Sequence, residues 1–416
     1  MCMSGDIPAQ GRIAALDVLR GVAVMGIFSV NVIGFAMPDA AYLNPAAYGG
    51  AVGANLVLWA VNFILVDNKM RCLFSALFGA SLLLVAERAE AAGLSAAGVH
   101  YRRMGWLLVF GLAHFYLVWD GDILSLYAPV GMLAFAFRRL PVERLLSAAL
   151  VFLLVDAAIM GLLWHAFAAG EAVASRPGAS AAIVAQWHQD AENLVPPLPA
   201  DFARDLALYR GGWLGIVAGR LHDNLAGPLV NLAIVGPQTL GLMLLGMAGL
   251  RSGFLTGAWQ PARYRRLLRT GLAIGLPAHA ALAFWTWRSA FSASAVFGSY
   301  FLWSVPFYYL QALAYAAGLI LLARRGGAAV TRVAAAGRTA FTNYLGTSLA
   351  ASALFFGWGL GLYGRLDRLH AWLVVPCLWA AMLLWSKPWL ERFRYGPFEW
   401  VWRSLARARI EPLRRA

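Results

Sequence analysis

Ten apolar stretches of about the length that crosses a lipid bilayer recur along this chain, and they leave few architectures open. A transmembrane helix needs roughly 20 consecutive apolar residues. Lipid offers no partner for backbone N–H and C=O groups, so such runs must satisfy them internally, as helices do. The stretches are residues 14–36, 69–87, 103–119, 122–138, 144–168, 229–250, 268–288, 297–323, 338–357 and 371–386. With 61% hydrophobic and only 13% charged residues, against about 25% charged in soluble domains, no large soluble domain has room. The expectation is an all-α, polytopic transmembrane bundle of about ten spans, forming one domain over residues 1–416.

The net charge of +14 does not point to nucleic acid, because the basic residues form short clusters between apolar runs and no continuous stripe. Nearly all are Arg, with Lys only at 69 and 387. If the N terminus is inside, the clusters fall on the inner side: Arg102 and Arg103, then Arg138, Arg139 and Arg144, then "RYRRLLR" at 263–269, then Arg324, Arg325 and Arg332. The tail "RSLARARIEPLRRA" joins them. That is the bias of the positive-inside rule, and it places both termini in the cytoplasm. Abundant Ala and Arg point to a GC-rich bacterium, hence to its inner membrane. Asp17 and Arg20 interrupt the first run and Pro38 follows it, which favours a retained helix over a cleaved signal peptide. Cys2, Cys72 and Cys377 have no metal-site spacing, so neither a metal nor a disulfide is expected.

Three segments read differently. "ANLVLWAVNFILVDNKM" is too short before Asp67 to span and is expected to be interfacial or re-entrant on the outer side. Residues 170–228 carry Pro196, Pro197 and Pro199 and then the amphipathic "DFARDLALYRGGWLGIVAGRLHDNL", which suits an outer loop or lid. Residues 388–416 mix Trp and Phe with Arg, as a cytoplasmic amphipathic tail does.

Charged residues within a span cost on the order of 2.5 to 3.5 kcal/mol and so face protein or a wet cavity. Asp17 and Arg20, three apart, share a helix face. Arg20 and Asn31, eleven apart, point nearly the same way, about 16 Å apart along the axis. The Asp17 and Arg20 pair suits a structural clamp or a functional cavity. In "GLAHFYLVWDGDILSLYAPVG", His114 lies near the expected depth of Asn31, and Asp120 and Asp122 flank Gly121. An imidazole with a carboxylate in reach is the minimum equipment of a general base; the plainer reading is an interior histidine bonded to a backbone carbonyl. "GRTAFTNYLGTS" places Arg338 at the inner boundary and Thr339, Thr342 and Asn343 in the next two turns, where packing roles are common. Gln238, Tyr308, Tyr309 and Gln311 are further polar residues in spans. "GLGLYG" at 359–364 follows no strand, so it is expected to be a flexible outer loop and no dinucleotide site.

Together "ALDVLRGVAVMGIFSVN", "LFGASLLL", "WDGDILSLYAPVG", "GRTAFTNYLGTS" and "RFRYGPFEWVWRSL" resemble the YeiB family, bacterial multipass proteins of unassigned role, over residues 12–403. That family is distantly similar to transmembrane acyltransferases, which include polysaccharide O-acyltransferases and the lysosomal heparan glucosaminide acetyltransferase. The polysaccharide enzymes carry an Arg and a His eleven residues apart in their first helix; Arg20 matches the Arg, and Asn31 stands at the His position. The heparan enzyme has Asn there and a catalytic His in the following luminal segment, yet no His lies between Asn31 and His100 here.

The resemblance therefore implies acyl transfer from a cytoplasmic acyl-CoA, acetyl-CoA above all, to a hydroxyl or amine of an envelope glycan or lipid. Arg20 with Asp17, Arg338 and Asn343 would hold the donor, Asn31 the oxyanion, and His114 with Asp122 the proton. The alternative is a transporter or flippase with the same groups along its path; against it stands the absence of an internal repeat and of a matched pair of Gly- or Pro-interrupted helices.

Overall fold

Helix α1 (Ala14–Ala36) packs against α4, α14, α15 and α16 near the middle of the bundle. The computed structural model describes residues 13–415, so Cys2 lies outside the described residues. Of the most apolar window of α1, 67% is buried inside the protein, against 22% for the long helices at 142–174 and 261–288. Those two therefore turn most of their apolar surface outward, as helices bathed in lipid do.

After α1, the short α2 (Ala40–Leu43) and α3 (Gly53–Leu65) lead into α4 (Lys69–Ala91). A hairpin of α5 (Ala96–Leu117) and α6 (Leu124–Ala134) follows, then a 3₁₀ turn at Phe135–Phe137 and α7 (Val142–Ala174). Three short helices, α8 (Ala181–Asp190), α9 (Pro199–Tyr209) and α10 (Trp213–Asp223), precede α11 (Gly227–Arg251) and α12 (Pro261–Arg288). The remainder is α13 (Ala293–Phe301), α14 (Val305–Arg325), α15 (Ala328–Arg338), α16 (Ala340–Phe355), α17 (Arg368–Trp372), α18 (Val374–Arg392) and α19 (Pro397–Arg407). The described residues contain no strand, only an isolated bridge between Phe393 and Arg414. The protein is an all-helical, multipass membrane protein.

Among the described residues, seven helical stretches are long and apolar enough to cross a bilayer. The other three expected spans are also helical. Helix α5 has 22 residues but carries Arg102 and Arg103, while α6 and α16 have 11 and 16 residues. One expectation changes: residues 297–323 are two helices, α13 and α14, broken at 302–304. Helices α3 and α4 are likewise broken, at 66–68.

Neither break contains a glycine or a proline, so these are interrupted helices of a kind that a Gly- or Pro-based reading does not register. Asn68 adopts φ of 61°, a left-handed geometry that Asn tolerates, and its amide donates to the Tyr300 carbonyl at 2.9 Å. Pro306 then sits in the first turn of α14, where a missing N–H leaves no gap in the ladder.

Residues 175–226 cover one end of the bundle, the cap end. Gly357 N–H donates to the Tyr209 carbonyl at 2.8 Å, Arg210 Nε to that of Tyr363 at 2.8 Å, and Trp213 Nε1 to that of Leu117 at 2.7 Å. Of the segment expected to be a flexible loop at 359–364, the second half packs under this cover, while Gly359 and Leu360 are exposed. Gly364 N–H donates to the Ala36 carbonyl at 2.8 Å, and Tyr363 is buried. At the opposite, tail end, α19 lies across the bundle. Its Glu399 accepts the N–H groups of Phe341 and Thr342 at 2.8 and 3.1 Å, capping α16, and Trp402 Nε1 donates to the Arg103 carbonyl at 2.9 Å.

Candidate functional site

The two helix breaks meet. Tyr300 at the end of α13 donates its hydroxyl to Asp67 Oδ2 at 3.3 Å, while its carbonyl takes the Asn68 amide. Backbone that leaves the helical ladder is tolerated at membrane depth only inside protein or beside water. Here it borders a cavity of about 630 Å³ that opens toward the cap end.

The floor of this cavity is a polar network drawn from four helices. Arg71 on α4 donates to Gln238 Oε1 on α11, and Gln238 Nε2 donates to Asp156 Oδ2 on α7 and to the Tyr308 hydroxyl on α14, both at 2.9 Å. Asp156 is 1% exposed, and its second oxygen has no hydrogen-bond partner among the described residues. A buried carboxylate is retained only where an opposite charge or donors compensate it, and the network with Arg71 supplies both. Asp67 Oδ1 likewise accepts no hydrogen bond among the described residues.

At the wall, Asn31 from α1 accepts the Tyr42 hydroxyl on Oδ1 at 3.1 Å. Its Nδ2 makes no hydrogen bond among the described residues, so the donor end of the amide remains available to a ligand. Carboxylates rim the mouth. Asp120, in the α5–α6 turn, lies 3.9 Å from Arg220 of α10, which the cap buries to 3%. Asp39 is open to the cavity yet enclosed by the protein around it. That enclosure, and then the carboxylates of Asp120, Asp205 and Glu192, push its pKa up to about 8, with Arg220 pulling the other way.

His114 and Asp122 stand together behind this wall. His114 Nδ1 is 2.9 Å from Asp122 Oδ1, and Asp122 Oδ2 accepts the Ser125 N–H at 2.6 Å, which caps the first turn of α6. Asp122 can hold the imidazole only because the turn between α5 and α6 is short and Gly111 lets the helices touch at Ser125. Both side chains are almost fully buried, and His114 Nε2 has no hydrogen-bond partner among the described residues. The intervening turn, Trp119 to Ile123, lines the cavity; His114 and Asp122 do not.

The expected donor-side residues lie toward the tail end. Arg20 bonds Ser81 Oγ at 2.8 Å and Asp17 at 3.4 Å. Gly337 is pressed against the Asp17 carbonyl, which sets Arg338 beside the first turn of α1. Asn343 is committed elsewhere: its amide donates to the Ala336 carbonyl at 3.0 Å and to Thr339 at 3.1 Å and accepts from Trp385 Nε1 at 2.9 Å. Thus the structure joins Asp17 to Arg20 and His114 to Asp122, but leaves His114 outside the cavity that Asn31 enters. Reasoning from sequence passed over Arg71, Asp67, Asp156 and Asp39. The lone acid at 156 in one of the chain's most apolar runs was the available signal. No group of three or more metal-ligating side chains occurs among the described residues.

Residues 250–409 match the family described as "Protein of unknown function (DUF418)". The chain is 33% identical to "Uncharacterized protein YeiB" of Escherichia coli K12, across 95% of this chain and 96% of that one. It is 29% identical to "Uncharacterized protein YxaH" of Bacillus subtilis 168, across 97% and 96% respectively. No solved structure matches. One-third identity sustained along nearly the whole of both chains leaves no doubt of descent, and the chain belongs to the YeiB family.

Proposed function

We propose that this protein moves an acyl group, acetyl in the first instance, from a cytoplasmic acyl-CoA to a hydroxyl or amine of an envelope glycan or lipid held in the cavity. The supporting observation is the Asp122–His114 pair, with an unpartnered Nε2 behind the wall on which the Asn31 amide opens. Carboxylate, imidazole and free nitrogen form the orienting chain of a general base. In the reaction the acceptor oxygen attacks the thioester carbonyl carbon and its proton passes to His114 Nε2. The carbonyl oxygen becomes an oxyanion that Asn31 Nδ2 stabilises. Collapse of the adduct breaks the C–S bond, and the leaving thiolate recovers the proton from the imidazolium. Contact requires the Trp119–Ile123 turn to move when substrates bind, since apo catalytic geometry commonly tightens in the complex.

The donor enters from the tail end, where Arg20 and Arg338 bind phosphate, a role suited to the guanidinium fork. Both termini then lie in the cytoplasm of a bacterial inner-membrane protein with ten spans. A reporter active only in the cytoplasm should work when fused after Arg266 or at the C terminus and fail near Pro197. Activity at Pro197 would invert the donor and acceptor sides.

The direct test is isothermal binding of acetyl-CoA to the purified protein, with slow acetyl-CoA hydrolysis as the readout of chemistry. Arg20→Ala should weaken binding by about 1.5 to 3 kcal/mol, the range for a charge-assisted hydrogen bond. Asn31→Leu should leave binding in place and slow hydrolysis by about 10²- to 10³-fold, as removal of an oxyanion donor does. A wild-type protein that neither binds nor hydrolyses acyl-CoA would sink the proposal. One observation favours a second reading, transport or flipping: two interrupted helices meet at a polar cavity, the arrangement of many transporter sites. Substrate accumulation by sealed vesicles, without acyl-CoA, would favour it.

A further inference from the structure

A second cavity lies at the tail end, apart from the polar chamber, and its walls are strongly basic. Arg88 at the end of α4, Arg102 and Arg103 at the start of α5, Arg403 and Arg407 on α19, and Arg409 just beyond it converge on a space of about 500 Å³. Among the described residues the only carboxylate in an ion pair with any of them is Glu411, which takes Arg407 and Arg409, each at 2.8 Å. Arg103 stacks over the Trp402 ring at 4.3 Å and Arg403 over Tyr395 at 4.6 Å. Both planes are thereby fixed, and among the described residues neither guanidinium forms an ion pair with a carboxylate, although Glu399 and Glu411 lie near enough to act on Arg403. Burial pushes the Arg403 pKa down and the nearby Arg407 adds to it, while Tyr395, Glu399 and Glu411 pull the other way.

Like charges repel, by about 1 kcal/mol in water where they come within about 4 Å of each other. Three separate chain segments nevertheless bring these groups together, and stacking on aromatic rings holds two of them in place. The rest of the lining is apolar, with Val85, Leu94 and Val99 among it, and Leu94 is exposed. A cluster of guanidiniums beside accessible aliphatic surface, at the end of a transmembrane bundle, matches a group carrying several phosphate charges next to a hydrocarbon or other apolar moiety.

We propose that this arginine-lined cavity binds a multiply charged phosphate group, supplied either by an anionic phospholipid headgroup or by a soluble phosphate compound. The site serves this chemistry whether or not the protein transfers acyl groups. Guanidiniums from α4, α5 and α19 clamp the phosphates, and the ligand thereby ties the C-terminal helix to the bundle.

The test uses the full-length, delipidated protein in an uncharged detergent, with binding read by native mass spectrometry and by thermal shift. The probes are cardiolipin, phosphatidylcholine and inorganic pyrophosphate. Cardiolipin binding with a raised melting temperature, and none from phosphatidylcholine or pyrophosphate, identifies a lipid headgroup; pyrophosphate binding identifies a soluble source. Arg88→Gln, at an exposed residue, should weaken the binding probe roughly tenfold or more. Arg403→Gln should do the same, and unchanged mobility in gel filtration would show that both variants fold. Arg265→Gln with Arg266→Gln, in a different basic cluster, should have no comparable effect. The proposal is overturned if no phosphate probe outbinds phosphatidylcholine, if Arg88→Gln binds as tightly as the wild type, or if the α12 substitutions weaken binding equally, which would mean diffuse surface charge.

Discussion

His114→Ala is expected to slow acyl-CoA hydrolysis, and acyl transfer once an acceptor is in hand, by about 10²- to 10⁴-fold, the usual contribution of a positioned general base. Donor affinity should hardly change, because Arg20, the residue proposed to hold the donor phosphate, stands on α1 toward the tail end, whereas His114 is on α5. Asp122→Asn should cost a large part of the same factor, since the imidazole would lose the carboxylate 2.9 Å from Nδ1 that sets its tautomer. Asp122 also caps α6, so melting temperatures of both variants are needed to separate chemistry from stability. The competing base is Asp39, which faces the cavity directly with its pKa pushed up to about 8. A carboxyl acts as a base only when ionised, so a base at Asp39 would make the rate climb as pH rises through that value. A rate with that profile, lost in Asp39→Asn and kept in His114→Ala, would transfer the role to Asp39.

The second large effect is structural. Helices α4 and α11 touch backbone to backbone. A Cβ on Gly79 would overlap the Met243 backbone, and one on Gly246 would overlap the Ala76 carbonyl. Without a hydrophobic force between helices in lipid, such close approach by small residues is a main source of association. Gly246→Leu should therefore prise the pair apart and lower stability by about 3 kcal/mol, the upper end for overpacking, or more because backbone cannot yield. It would also displace Arg71 from Gln238, as those residues sit on the same two helices. Loss of monodisperse protein in gel filtration is the expected readout. Gly161→Leu on α7, where a Cβ would meet nothing within 4 Å, should behave as the wild type. Equal behaviour of the two variants would refute the packing account.

These two glycines show what can be read along the chain and what cannot. Both lie in apolar runs of similar character, and nothing local distinguishes the one under a neighbouring backbone from the one facing outward. The runs themselves determined the element type, because lipid forces the backbone to bond within each segment. Sequence spacing also settled short-range partners. Asp17 and Arg20 meet because three residues bring side chains to one helix face, and Asp122 reaches His114 because a tight turn returns the chain alongside itself. Tertiary structure alone decided the rest. Lipid and protein interior are both apolar, so no periodicity announced that α1 would be enclosed while α7 faces outward. Nor could spacing bring residues 71, 156 and 238 into one network, or residues 88, 103 and 403 around one cavity, since their separation in the chain fixes no distance in space. The breaks at 66–68 and 302–304 belong with these, because Asn68 holds its left-handed turn through a bond to the Tyr300 carbonyl, more than two hundred residues away.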